Sequence, residues 1–264
     1  IKIISKIENQ EGVDNIDEII KASYGVMVAR GDLGIEVPVE RIPGIQRMII
    51  RKCVEHHKPV IVATQMLHTM MTDIANAIYS NTDALMLSGE TASGKYPLEA
   101  VQTMAAIAEQ AEKDRQSFDP IYNVPLNEHC TQREFLSHAA IEATRLLGVE
   151  GIITASKSGY TARCLATYRG PKPILAICYN EKTQRWLNLS YGVIAVYQKE
   201  HASSDVIFRA ALRMLRQKGY LGNDDKVAYL SGSLDNMGEG TTFLEINKVS
   251  EVFDLRYQFH LPEE

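Results

Sequence analysis

Lys6 and Glu8 lie two residues apart in Ile3-Ile4-Ser5-Lys6-Ile7-Glu8, and Asp32 closes the stretch Val26-Met27-Val28-Ala29-Arg30-Gly31-Asp32. Side chains alternate along a strand, so Lys2, Ile4, Lys6 and Glu8 share one face, with Lys6 and Glu8 adjacent at the strand exit. The same parity puts Val26, Val28, Arg30 and Asp32 on one face of a second strand. Two carboxylates and an ammonium would then converge. Few ligands, all oxygen, with room left for water and substrate, suit Mg2+ or Mn2+ better than Zn2+. An ammonium beside such a cation is a point charge that stabilises phosphoryl oxygens during transfer. Gly31-Asp32-Leu33-Gly34 reads as a glycine-flanked turn whose N–H groups bind carboxylate or phosphate oxygens. Thr64, in phase with Val60 and Val62, points to the interior and mouth, and Ser88 reaches a fourth rim position. Each residue also has an ordinary reading: a surface ion pair, a simple turn, a strand-end hydroxyl. What sets them apart is their place at equivalent points of successive units.

Those units are four short apolar segments, Ile1–Ile7, Gly25–Ala29, Pro59–Ala63 and Asp83–Leu87. Each has the length of a buried strand, runs into a polar turn and precedes a helical pattern. Val13, Ile16, Ile19 and Ile20 form one stripe, and Ile42, Ile45, Ile49 and Cys53 another. The third helix, Asp73–Tyr79, is short. Pro97 suits a first helical position, with Leu98, Val101, Met104 and Ala108 behind it. Strand, loop and helix recurring in this order mean parallel strands joined by crossovers. Chemistry at the strand exits points to a (β/α) barrel, which needs eight strands and about 250 residues. Residues 1–115 supply only four units and read as the second half of one.

Residues 116–130, with Pro120 and Pro125, read as a linker, and Thr131-Gln132-Arg133-Glu134 as a capping box opening a helix. Alternating elements then predict a second α/β domain over 131–250 with a mixed, mostly parallel sheet, followed by a tail over 251–264. Within this domain Ser156-Lys157-Ser158-Gly159-Tyr160-Thr161 follows a strand and opens a helix. Hydroxyls, a glycine and helix N–H groups make a phosphate nest there, or an ordinary capped turn. A second loop, Ser231–Thr242, carries Gly232, Gly238 and Gly240.

Hydrophobic residues make up 45% of the 264 and charged residues 23%, with a formal charge of −5. That profile fits a globular protein and lacks the basic stripe that nucleic-acid binding requires. No apolar run reaches transmembrane length. Four scattered cysteines without a CxxC pair read as reduced thiols, which with the absence of a signal-peptide layout predicts a cytoplasmic protein. The seven histidines show no metal-ligand spacing; His56-His57 reads as a helix C-terminal cap. Arg30 reads as structural or as part of a subunit contact.

The segment Ile3-Ile4-Ser5-Lys6-Ile7-Glu8-Asn9-Gln10-Glu11-Gly12-Val13 closely resembles the signature of pyruvate kinases. Met27-Val28-Ala29-Arg30-Gly31-Asp32-Leu33-Gly34-Ile35-Glu36, Ala63-Thr64-Gln65-Met66-Leu67, Met86-Leu87-Ser88-Gly89-Glu90-Thr91-Ala92 and Tyr96-Pro97-Leu98-Glu99-Ala100-Val101 resemble later blocks of that family, in order. The resemblance implies transfer of the phosphoryl group of phosphoenolpyruvate to ADP, giving pyruvate and ATP. It assigns Lys6 to the phosphoryl group in flight, and Glu8 and Asp32 to Mg2+. The Gly31 and Asp32 amides go to the substrate carboxylate, Thr64 to the substrate's side, and Ser88 to a proton relay. It further implies a phosphorylated effector at Ser156, Lys157, Ser158, Gly159 and Thr161, with Gly238 and Gly240 opposite. A K+ requirement and a homo-oligomer, commonly a tetramer, also follow.

The family pattern extends well upstream, to four further strands, a lid domain, a phosphate-binding arginine and most K+ ligands. It also carries a short segment near Met70–Met71 that this sequence lacks. The chain by itself is therefore expected to be inactive. Two alternatives stand beside the kinase reading: another Mg2+-dependent phosphoenolpyruvate or pyruvate barrel, such as a lyase-type aldolase, and a non-catalytic effector-binding or oligomerisation fragment.

Overall fold

The computed structural model describes residues 1–63, 70–117, 124–199, 204–232 and 240–253. They fall into two compact units, the first within 1–123 and 189–191, the second within 124–188 and 192–264. The expected linker lies partly outside the described residues, as do 254–264 of the expected tail.

The first unit runs β1 (Ile4–Ile7), α1 (Gln10–Asp14), α2 (Ile16–Ala22), β2 (Gly25–Ala29), α3 (Arg30–Glu36), α4 (Ile42–Glu55), β3 (Val60–Ala63), α5 (Met70–Tyr79), β4 (Ala84–Met86), α6 (Gly89–Ala92) and α7 (Pro97–Ser117). Its strands are all parallel in the order β1-β2-β3-β4, the repeating pattern of a (β/α)8-type barrel. β1 begins at Ile4, not Ile1, because its pairing with β2 begins at Ile4 opposite Gly25. Gly25 is required by close approach, since a Cβ there would lie 2.6 Å from the Pro59 carbonyl oxygen. β2 and β3 are buried almost throughout, as strands covered on both faces should be.

α4 buries Ile42, Ile45, Ile49 and Cys53, the stripe expected of it. Its C-cap is His56, whose Nδ1 lies 2.9 Å from the Lys52 carbonyl oxygen, in agreement with the capping role read from the sequence. α7 starts at Pro97 as expected, yet Leu98 and Val101 are 65% and 44% exposed, so its leading apolar positions face outward.

The second unit runs α8 (Gln132–Leu146), β5 (Val149–Ser156), α9 (Tyr160–Thr167), β6 (Ile174–Cys178), α10 (Glu181–Leu187), β7 (Val193–Tyr197), α11 (Ser204–Gln217), β8 (Lys226–Ser231), β9 (Phe243–Lys248) and α12 (Val249–Val252). The capping box forms as its residues dictate: the Glu134 amide donates to Thr131 Oγ1 at 3.3 Å, and the Thr131 amide to Glu134 Oε2 at 2.6 Å. The sheet order is β7-β6-β5-β8-β9, parallel except for β9. One face packs Ile152, Ala176 and Leu230 against α8, α9 and Leu187. The other packs Ile153, Leu175 and Tyr229 against α11 and α12.

Burial pushes the Cys53 and Cys164 thiols up to about 12 and Cys178 to about 11, whereas Cys130 is half-buried. Near neutral pH the buried three are therefore protonated and shielded. An aromatic disulfide reagent should titrate one thiol, Cys130, in the native protein and all four in denaturant; rapid reaction of more than one natively would contradict this packing. Thr131→Ala should cost about 0.5–2 kcal/mol in a denaturant melt through loss of the cap.

Candidate functional site

At the exit of β1, Ile7 is buried to 1% exposure and anchors the strand end, which turns Lys6 and Glu8 to the opposite face. Asn9 then stops the strand: its side chain accepts the Gly12 amide at 2.9 Å and caps α1. Glu8 is thereby held between a paired strand and a capped helix. Lys6 Nζ forms an ion pair with Glu8 Oε1 and lies 4.0 Å from Asp32 Oδ2. The sequence-derived convergence of these three residues is present, but the route to it differs. From Arg30 onward the chain is helical, and residues two apart on a helix are turned by about 200°. Arg30 is accordingly buried and Asp32 exposed, so the shared strand face expected for that pair does not exist. The supposed glycine-flanked turn at 31–34 is the body of α3. Leu33, fully buried, outweighs the low helix propensity of the two glycines. Gly34 lets α3 approach α4, as a Cβ there would meet Ile42 Cδ1 at 3.2 Å.

Glu8 holds the Lys6 ammonium above the usual lysine range, first through their hydrogen bond and then through its charge, with Asp32 adding to the effect. Lys6 in turn holds the Glu8 carboxyl below the usual carboxylate range, chiefly through the same hydrogen bond. Both groups are solvent-exposed, so salt screens the interaction. Among the described residues no group of three or more His, Cys, Asp or Glu is assembled for a metal. Two carboxylates fit a hard cation that draws its remaining ligands from water and substrate.

Ser88 is exposed at the exit of β4, three strands along the sheet, where it precedes α6 and its amide donates to Glu90 Oε2 at 2.8 Å. Thr64 lies outside the described residues. Sequence reasoning missed a part-buried ion pair behind Asp32: Arg30 Nη1 lies 3.1 Å from Asp73 Oδ1. Its members are 43 residues apart, and the only local signal was an arginine within an otherwise apolar strand exit.

In the second unit, β5 connects through α9 to β6 on one side, while its other neighbour is β8. This is the switch point of the sheet, beyond whose carboxyl edge open α/β sheets bind ligands. Ser156, Lys157, Ser158 and Gly159 leave β5 there. The Gly159 amide donates to Ser156 Oγ at 2.9 Å and the Tyr160 amide approaches Ser158 Oγ at 3.4 Å. The Lys157 carbonyl accepts from Thr183 Oγ1 at 3.0 Å, while its side chain is exposed. Gly159 has φ +78°, and a Cβ there would come within 2.9 Å of Leu187. Thr241 lies at the same edge: Thr161 Oγ1 and Thr241 Oγ1 are 3.0 Å apart, and Gly240, adjacent in the chain, is exposed. Gly238 lies outside the described residues.

Sequence models of "Pyruvate kinase, barrel domain" and "Pyruvate kinase, alpha/beta domain" match residues 1–101 and 134–246. This chain belongs to the pyruvate kinase family. A pyruvate kinase of Borreliella burgdorferi is 45% identical over 95% of this chain and 55% of its own length. One from Clostridium acetobutylicum is 43% identical over 94% and 55%. A solved pyruvate kinase of Cryptosporidium parvum superposes with a TM-score of 0.81 at 34% identity, covering 94% of this chain and 52% of that one. The same parasite's pyruvate kinase in complex with ADP gives 0.78. The chain thus spans about half the length of the pyruvate kinases it matches.

Glu8→Gln removes the largest cause of the raised Lys6 titration. NMR titration of the Lys6 side chain should show its midpoint falling toward the ordinary lysine value; an unchanged midpoint would contradict the pairing. Gly159→Ala should destabilise the second unit in a thermal melt, since it combines a strained φ with a clash on Leu187.

Proposed function

We propose that residues 1–115 are the C-terminal half of a pyruvate kinase barrel, 116–130 a linker, and 131–250 an effector-binding α/β domain. The reaction passes the phosphoryl group of phosphoenolpyruvate to ADP, giving ATP and, once the enolate carbon takes up a proton, pyruvate. The observation that carries this reading is the Lys6 ammonium flanked by Glu8 and Asp32 in a chain matching both domains of the family.

Lys6 places its charge against the phosphoryl oxygens during transfer and strengthens the path the group follows. Glu8 and Asp32 hold Mg2+, or Mn2+, which when bound supplies positive charge against the oxygens of the phosphorylated acid. The Gly31 and Asp32 amides at the start of α3 orient the substrate carboxylate, Thr64 borders the substrate, and Ser88 belongs to the relay that delivers the proton. K+, most of whose ligands would come from beyond this chain, completes the charge balance. The assembled enzyme is a cytoplasmic homo-oligomer, a tetramer as in the family. Among the described residues no helix is long and apolar enough to cross a membrane.

A segment carrying the first four βα units of the Borreliella burgdorferi relative, mixed with this chain, should restore pyruvate formation from phosphoenolpyruvate and ADP. Lys6→Met should then reduce the rate about 100-fold or more. The chain without its complement should show none. A complemented rate indifferent to Lys6→Met would remove the reading.

A second role, effector binding independent of catalysis, is favoured by the self-contained sheet whose switch point gathers Ser156, Lys157, Ser158, Gly159, Thr161 and Gly240, with Gly238 in the same loop. Hydroxyls and amides there suit a phosphorylated small molecule. Calorimetry with a sugar phosphate should show saturable binding that the Ser158→Ala/Thr161→Ala double variant abolishes; equal binding by the variant would exclude this loop.

A further inference from the structure

Arg30 is the first residue of α3 and stands two positions before Asp32, yet its side chain turns inward and is only 9% exposed. There it meets Asp73, in the first turn of α5, at 3.1 Å. α3 starts without a side-chain cap at Ala29, so no local hydrogen bond of that kind fixes where its first turn begins. Leu33 and Val37, both buried, hold the C-terminal part of the helix, but apolar contacts there leave its first turn free to roll. An anchor at the first residue removes that freedom, and Arg30 is that residue. Because Arg30 and Asp32 are about 200° apart on the helix, fastening one side chain inward directs the other outward. Asp32 is thereby delivered to within 4.0 Å of Lys6.

Stability alone is a weak reason for such a pair, because desolvating two charges offsets most of what their attraction returns, and an apolar pair of similar volume would hold the helix as well. What an apolar contact does not supply is a fixed direction: a guanidinium–carboxylate contact has preferred geometry where an apolar contact tolerates sliding. The pair also neutralises a guanidinium that would otherwise sit two residues from a carboxylate assigned to a cation.

We propose that Arg30 and Asp73 are positioning residues for Asp32, setting the divalent-cation affinity of the Glu8–Asp32 site through the register of α3. This rests on the reading of Glu8 and Asp32 as the metal carboxylates.

The test is Mn2+ binding to the intact chain, followed by electron paramagnetic resonance at a temperature where circular dichroism shows each variant folded. The principal variant is the double change Arg30→Gln/Asp73→Asn, which removes both charges of the pair and keeps the net charge unchanged. Mn2+ affinity at the site that Glu8→Gln abolishes should fall about tenfold in the double variant. Arg30→Lys, which keeps the charge but replaces the planar fork with a point charge on a flexible stem, should lose affinity to an intermediate degree. A double variant with a lower melting temperature and an unchanged Mn2+ affinity would make the pair merely structural and overturn the proposal. Loss of affinity in the double variant that Arg30→Lys shares in full would overturn the role of the charged contact. Mn2+ binding indifferent to Glu8→Gln would overturn the metal reading itself, and this inference with it.

Discussion

Everything functional in this chain depends on strands that run the same way. In a parallel sheet every strand ends at one edge, and every crossover returns the chain to the other. The pairing of Ile7 with Val28 and of Ala29 with Ala63 therefore brings the ends of β1, β2 and β3 level. Residues 21 and 34 positions apart in sequence become neighbours by that pairing. The same constraint in the second unit sets the end of β5 beside the end of β8, pairing Thr154 with Leu230, 76 positions on. Helices cover the faces and supply the burial; alignment of the strand exits decides which polar residues can meet.

Much of this was legible because buried parallel strands are apolar, short and punctuated by turns. β2 and the start of α7 fall where periodicity and Pro97 put them, and the capping box at Thr131 forms as written. Lys6 and Glu8 were placed correctly because β1 is a regular strand almost to Glu8. Asp32 reaches the same place by another route, because strand alternation ends at Ala29 and the residues beyond it are helical. Gly31 and Gly34 disfavour a helix locally, and the burial of Leu33 that overrides them is a tertiary fact. α6 escaped notice for a related reason: four residues are too few for any period to show.

The roles of residues were less legible than their positions. A lysine beside a glutamate is, by chemistry alone, an exposed ion pair of small consequence. Specificity came from several long blocks in order, and the family match accounts for them. The Arg30–Asp73 pair was invisible to both approaches. It joins a strand exit to a helix 43 residues on, and neither spacing nor a local motif marks it.

The switch point between β5 and β8 sets how the second unit would respond to a ligand bound there. A molecule held by the β5 loop and the β9 side of the sheet contacts only the completed fold. Since the unfolded chain offers nothing comparable, binding adds RT ln(1 + [L]/Kd) to the stability of the whole unit, about 2.7 kcal/mol at a hundredfold excess over Kd. That gain would appear as suppressed hydrogen exchange in the slowest amides of β5, β6 and β8, far from any contact with the ligand. A ligand bound there would thus act as a lock on the sheet that holds it.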